Sequence, residues 1–182
     1  MRVITGTAKG KRLKTLDGLD VRPTSEKVKE SIFSIIQFEL EGAKFLDLFA
    51  GSGQIGIEAL SRGAHTCVFV DSNRESHNII KENLQNTSLF QKSKVVLMDS
   101  LSYLERSSDE FDIAFLDPPY NKGILQKALS KIVEKIKRHG IIICEHEKND
   151  ILPNEVGEFE IFRTYSYGRI SLTTYRIKEE IE

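Results

Sequence analysis

Asp47-Leu48-Phe49-Ala50-Gly51-Ser52-Gly53-Gln54-Ile55-Gly56 leaves one apolar run and leads into another whose apolar residues recur at helical spacing. Glycines at these positions let the backbone turn tightly and approach a bound group, and the first amides of the following helix point toward that group. Strand, glycine turn and helix form the opening half of a β-α unit, which sets the frame for the rest of the chain.

Working outward, the same unit recurs. Residues 45–49 make the first strand, and the helix through Ile57, Ala59 and Leu60 ends at Gly63. Strand 66–70 precedes helix 75–84, strand 94–98 precedes a short helix around 101–104, and 111–116 is a fourth strand. Ile124, Leu125, Ala128, Leu129, Ile132, Val133 and Ile136 mark an amphipathic helix closed by Gly140, before a fifth strand at 141–144. Runs 158–165 and 170–177 flank Gly168 as a hairpin. Repeated β-α units predict an α/β fold with a mostly parallel seven-stranded sheet, covered on both faces and edged by an antiparallel C-terminal hairpin. Upstream, 3–5 and 12–15 flank Gly6 and Gly10 as a small β-hairpin, and Arg22-Pro23-Thr24-Ser25-Glu26 starts a helix that runs to Gly42. We expect one domain over residues 1–182, with 1–41 an N-terminal appendage to a core at 42–182.

With 182 residues, 40% hydrophobic and 29% charged, the chain has the balance of an ordinary soluble domain. No apolar stretch is long enough to span a bilayer, and the N-terminus lacks the apolar core of a signal peptide. Cys67 and Cys144 each sit within an apolar run, as buried reduced thiols do, so a cytoplasmic protein is expected. The net charge of −1 hides an asymmetry: residues 1–29 carry eight basic and three acidic side chains, a local net of +5. A basic end on a nearly neutral chain suits a polyanionic partner.

Gly51, Gly53 and Gly56 spell G-x-G-x-x-G, and Asp71 ends the second strand where an acid accepts from ribose hydroxyls. On these features alone a nicotinamide dinucleotide and S-adenosylmethionine are nearly tied. Three others separate them. Asp47 stands four residues before the first glycine, suited to a cationic amino-acid moiety rather than a pyrophosphate. Asp99-Ser100 ends the third strand and can accept from an adenine amino group. The fourth strand ends in Asp117-Pro118-Pro119-Tyr120. Two consecutive prolines stiffen that turn, so a carboxylate and a carbonyl can face one cleft as acceptors for an amino group, with Tyr120 stacking against its ring. The cofactor expected is S-adenosylmethionine, leaving as S-adenosylhomocysteine.

These residues resemble the amino-methyltransferases of the Rossmann-like class I group, and within them the RsmD family of bacterial 16S rRNA (guanine(966)-N(2))-methyltransferases. The likeness runs nearly end to end, through Arg2-Val3-Ile4-Thr5-Gly6, Arg22-Pro23-Thr24, the glycine loop, Gly56-Ile57-Glu58-Ala59-Leu60-Ser61-Arg62-Gly63-Ala64, the tetrapeptide and Tyr167-Gly168. Gln54-Ile55 departs from the smaller or more apolar residues expected after the second glycine. The resemblance implies methyl transfer to guanine N2 by in-line displacement, with Asp117, Pro118, Pro119 and Tyr120 at the reacting centre. It implies cofactor contacts from Arg22, Thr24, Asp47, Phe49, Gly51, Ser52, Gly53, Asp71, Ser72, Asp99 and Ser100. The target base would be flipped or unpaired. Lys9, Lys11, Arg12 and Arg169 would meet RNA phosphates. The partner implied is 16S rRNA, within a 30S particle or assembly intermediate, met by a monomer.

Cys144-Glu145-His146-Glu147 holds metal-ligating residue types, but it follows a strand, where alternate side chains point opposite ways, and no metal is expected. DNA adenine-N6 methylation uses the same tetrapeptide but usually needs a target-recognition region for which this chain has little length. Protein glutamine N5-methylation would not call for a basic arm. A non-catalytic nucleic-acid-binding module would not need both the tetrapeptide and the glycine loop.

Overall fold

A computed structural model describes residues 1–16, 25–120 and 123–178. Eight strands form one sheet: β1 (Lys44–Asp47), β2 (Thr66–Asp71), β3 (Ser93–Leu97), β4 (Phe111–Leu116), β5 (Ile136–Glu147), β6 (Glu155–Val156), β7 (Phe159–Tyr167) and β8 (Ile170–Ile177). Their spatial order is β3-β2-β1-β4-β5-β8-β7-β6. The first five are parallel, and β8, β7 and β6 continue the sheet antiparallel. The strand order reverses between β1 and β4, and open α/β sheets bind their ligands at such a switch point, outside the carboxyl ends of the strands. The glycine loop leaves β1 and the Pro-Pro turn leaves β4, so both meet there.

Alternation along the strands divides the core in two. Phe45, Phe69, Phe115 and Ile143 face helices α1 (Glu26–Ile35), α2 (Gln54–Ser61) and α3 (Arg74–Asn86), together with Val3, Ala8 and Leu13 of the N-terminal segment. Leu46, Val68, Ala114 and Ile142 face α4 (Ser100–Arg106) and α5 (Ile124–Ile132) on the other side. Cys67 lies in the first layer and Cys144 in the second, so the sheet stands between the two thiols. Among the described residues, no helix is long and apolar enough to cross a membrane.

The structure differs from the expected pattern in three places. Glu155–Val156 adds an eighth strand, a two-residue edge too short to read from its residues. The expected N-terminal hairpin is reduced to a single antiparallel bridge, Arg2 to Arg12, flanked by bonds from Val3 N to Lys11 O and Leu13 N to Met1 O, and the segment bonds to helices as well. Thr7 N donates to Ser61 O at 2.8 Å, and Lys14 N donates to the Asn83 side chain at 2.8 Å. The helix expected through Ile136 ends at Ile132, and Ile136 opens β5 by pairing with Phe111. Gly140, read as the helix stop, lies inside β5, where a Cβ would stand 2.7 Å from Asp112 O. The close approach of β4 at a register shift requires glycine there.

Candidate active site

Asp47 closes β1 on the face it shares with Phe45, and its carboxylate lies under the glycine loop, 2% exposed, accepting from Gly56 N at 3.0 Å. Burial pushes its pKa up to about 7, against the lowering effect of that amide, and the nearby Asp71 charge adds to the rise. Gly51 and Gly53 have φ of +53° and +78°, values that disfavour any side chain. Among the described residues nothing lies within 4 Å of a Cβ built on Gly51. At Gly56 a Cβ would fall 2.3 Å from the Phe69 ring, so the third glycine sets the close packing of α2 on β2.

Asp71 braces the loop from the next strand, accepting from Gly51 N at 2.9 Å and from Asn73 N at 2.8 Å. Ser72 beside it is exposed and Phe49 is half-buried. Ser52 is buried, and its carbonyl accepts from Asn83 Nδ2 at 3.0 Å. Asp99 caps α4 by accepting from Ser102 N at 2.9 Å and keeps an exposed carboxylate, whereas Ser100 is buried and donates to Leu48 O. The four acids Asp99, Asp71, Asp47 and Asp117 therefore stand along one edge, at the ends of the adjacent strands β3, β2, β1 and β4. Gln54 Oε1, buried beside the loop, has no hydrogen-bond partner among the described residues. The left-handed glycine turn, a buried Gln54 Oε1 without a partner among the described residues, and Asp71 and Asp99 at the strand ends suit a cationic nucleoside cofactor.

Asp117 follows β4 directly, and burial, then the charges of Glu145 and Asp47, hold its carboxyl well above the usual carboxylate range. Tyr120 is half-buried and donates its hydroxyl to Glu145 Oε1 at 3.2 Å. Burial and the charges of Asp117 and Glu145 push the Tyr120 phenol up from its ordinary value. A cavity of about 250 Å³ opens between Pro118, Pro119, Tyr120, Glu145, His146 and the start of α5. That is below the usual range for drug-sized ligands and suits one flat ring.

Glu145 belongs to the run set aside as a false metal cluster. Along β5 it shares a face with Ile143, as Asp47 does with Phe45, whereas His146 turns the other way, to Thr173 Oγ1 at 2.8 Å. The sequence offers one signal, an acid directly after the apolar run 141–144.

Arg169 is exposed in the β7–β8 turn, where its carbonyl accepts from Lys148 N at 2.9 Å, at the same sheet edge as Asp117. Lys9, Lys11 and Arg12 are exposed but not gathered there. Their loop is bonded to Ser61, the last residue of α2, and that eight-residue helix carries it about 12 Å from the glycine loop. Arg22 and Thr24 lie outside the described residues; Ser25 caps α1 by accepting from Val28 N at 3.3 Å.

A family model described as conserved hypothetical protein 95 matches residues 1–176. A Bacillus subtilis (strain 168) protein, YlbH, provisionally named an rRNA methyltransferase, is 40% identical over 181 residues, covering 97% of this chain and 98% of its own. Ribosomal RNA small subunit methyltransferase D of Haemophilus influenzae is 34% identical over 82% of this chain and 80% of its own. The solved structure of Escherichia coli yhhF, provisionally named a methyltransferase, matches with a TM-score of 0.89 and 27% identity over 99% of both chains.

Proposed function

Because the chain belongs to the conserved hypothetical protein 95 (RsmD) family, with small subunit rRNA methyltransferases among its relatives, we propose that it methylates the exocyclic N2 of a guanine in 16S rRNA. The observation that carries this reading is the meeting of the glycine loop and the Asp117-Pro118-Pro119-Tyr120 turn at the switch point of the sheet. The whole chain works as one methyltransferase domain, and a monomer acting on the 30S particle or its assembly intermediate accounts for the basic arm.

Gly51, Gly53, Ser52 and Phe49 hold the cofactor from the loop, Asp71 and Ser72 its ribose, and Asp99 and Ser100 its adenine, with Arg22 and Thr24 closing over it. Bound there, S-adenosylmethionine supplies an electrophilic methyl group on a sulfonium and departs as neutral S-adenosylhomocysteine. Asp117 and the Pro118 carbonyl accept the two amino hydrogens, which draws the nitrogen lone pair out of conjugation with the ring. Pro119 keeps the turn rigid and Tyr120 stacks on the base, so that positioning supplies much of the rate. Asp117 takes the proton that the methylated nitrogen sheds.

Tritiated methyl transfer to 30S particles, naked 16S rRNA and duplex DNA tests the reading. Label recovered as N2-methylguanosine in rRNA supports it; N6-methyladenine in DNA, or no transfer to any of the three, overturns it.

Two consequences are measurable. Asp47 must be ionised to favour a cation at the loop, and its pKa of about 7 lies above that of an exposed carboxylate. Cofactor affinity therefore weakens about tenfold for each pH unit below 7 and levels off above it, and Asp47→Asn flattens the profile. Calorimetric titration from pH 5.5 to 8.5 reads both. Replacing Lys9, Lys11 and Arg12 together by alanine reduces the slope of log affinity against log salt by about 2, if each holds one phosphate of an unpaired strand. Because their loop lies away from the pocket, the loss shows in KM rather than kcat.

A further inference from the structure

We propose that the face of β7 carrying Tyr165 and Tyr167 is a platform for single-stranded RNA. Phe162, Tyr165 and Tyr167 stack on bases that flank the target guanine, and Arg163 and Arg169 hold the phosphates between them. The proposal extends the methyl-transfer reading to how the strand is held, and rests on it for the identity of the target.

The C-terminal hairpin is a second basic stretch of the chain. Residues 162–176 hold three arginines and no acid, a local net of +3 on a chain of net −1. Alternation puts Arg163, Tyr165 and Tyr167 on one face of β7, the face on which Leu172 joins the α1–α3 layer of the core. Phe162 is the extra residue at the register shift between Ile161 and Arg163, and such a bulge re-aims a side chain. Arg163 Cζ lies 5.6 Å and Arg176 Cζ 5.4 Å from the centre of its ring, so the ring joins the arginines. Phe162 and Arg163 are exposed and the two tyrosines half-buried, so the row meets solvent beyond the helices. Arg176 pairs with Glu39, whereas Arg163 and the exposed Arg169 have no ion pair among the described residues.

The row leads away from the active edge. Tyr167 pairs with Ile170, and Ile170 pairs with Glu147 at the end of β5. Three strand spacings place Tyr167 about 14 Å across the sheet from β4, and five residues of β7 place Phe162 about 17 Å further along. Every base has a π-face, so a row of aromatic rings holds an unpaired strand, and arginines add phosphate contacts and stacking of their own. A duplex keeps its bases stacked on one another and offers such a row nothing. A bulge and an arginine on an outer strand also blunt an open sheet edge, which β6 covers here only at Phe159 and Glu160. That role calls for no exposed aromatic rings.

Labelled oligoribonucleotides test it: a short fragment around the methylated guanine, the same fragment lengthened on its 5′ or its 3′ side, and each annealed to a complement. Wild type binds one of the lengthened single strands more tightly than the short one, by about tenfold for each stacked base. Tyr165→Leu with Tyr167→Leu keeps apolar bulk against the core and loses that increment, with an unchanged salt dependence. Arg163→Gln lowers the slope of log affinity against log salt by about 0.7. In methyl transfer both variants raise KM for the lengthened strand and leave kcat and the short fragment alone. An increment that is missing, that the variants keep, or that the duplex shares overturns the proposal. So does weaker binding of the short fragment together with a lower melting temperature, which would make the tyrosines structural. A dimer of wild type that the leucine variant disperses would assign the face to a second copy and overturn it as well. Wild type that binds the strands as stated but methylates none overturns the methyl-transfer reading and leaves the platform standing.

Discussion

Asp117→Ala lowers methyl transfer by about 10²- to 10⁴-fold, the usual contribution of a positioned acid–base group, and leaves cofactor affinity within about twofold. The asymmetry follows from position. Asp117 leaves β4 on the target side of the switch point, whereas the glycine loop leaves β1. Asp117→Asn separates shape from charge: the amide fills the same volume but accepts through one atom and cannot take a proton. The pH profile identifies the group further. Burial and the charges of Glu145 and Asp47 raise the Asp117 pKa, so the carboxyl still holds its proton at a pH where an exposed aspartate is ionised. The protonated acid cannot serve as base, and kcat therefore climbs as pH rises through that value. Removing the Glu145 charge lowers the Asp117 pKa and moves the climb to lower pH. A single-turnover profile from pH 5 to 9 for wild type, Asp117→Asn and Glu145→Gln measures this; an unshifted profile in Glu145→Gln would contradict the coupling.

Glu58→Ala costs about 3–5 kcal/mol of unfolding free energy, as removing one partner of a buried ion pair does. Glu58 is fully buried on α2 and is the acceptor on which the N-terminal segment converges. Its carboxylate takes Ile4 N at 2.8 Å, Thr5 N at 2.9 Å and Arg62 Nε at 2.8 Å, and pairs with the equally buried Lys29 Nζ at 3.2 Å. Lys29 also donates to Arg2 O at 2.7 Å, and Arg62 lies over the Phe33 ring of α1 at 4.6 Å. Burial lowers the Lys29 pKa although Glu58 raises it, so the ammonium depends on this partner. Without the carboxylate, two backbone donors lose their acceptor and the buried Lys29 ammonium loses its counter-charge. Lys29→Met is milder, at about 1–3 kcal/mol, because Glu58 keeps Arg62 and both amides. Urea unfolding ranks the two variants. Limited proteolysis should open residues 1–14 first in Glu58→Ala, since that segment loses its anchor while the sheet keeps its own.

The sequence made the active edge legible because its parts are local. The glycine loop, the strand-ending acids and the Pro-Pro turn each announce their geometry within a few residues. Glu58 carries only the i,i+4 spacing to Arg62: its other partners lie 54, 53 and 29 residues away, and no short pattern records them. Ile136 stands four residues after Ile132, a helical spacing, and only its pairing with Phe111 makes it a strand residue. Gly140 has the spacing of a helix stop, and only the Asp112 backbone that crowds it makes it a strand glycine. Glu145 stands in a run whose residue types suit a metal but whose strand alternation does not, and the tyrosine it bonds to lies 25 residues earlier.

The contacts that seat the N-terminal segment also order events during synthesis. Ile4, Thr5 and Ala8 bond to Glu58 and Ser61, and Lys14 bonds to Asn83, 69 residues further on. This segment leaves the ribosome before α2 and α3 and so has no docking surface until they have followed it out, and such distant closures come late in folding. For that interval the basic arm is an undocked cationic stretch of a nascent chain, beside the RNA of the particle that is making it.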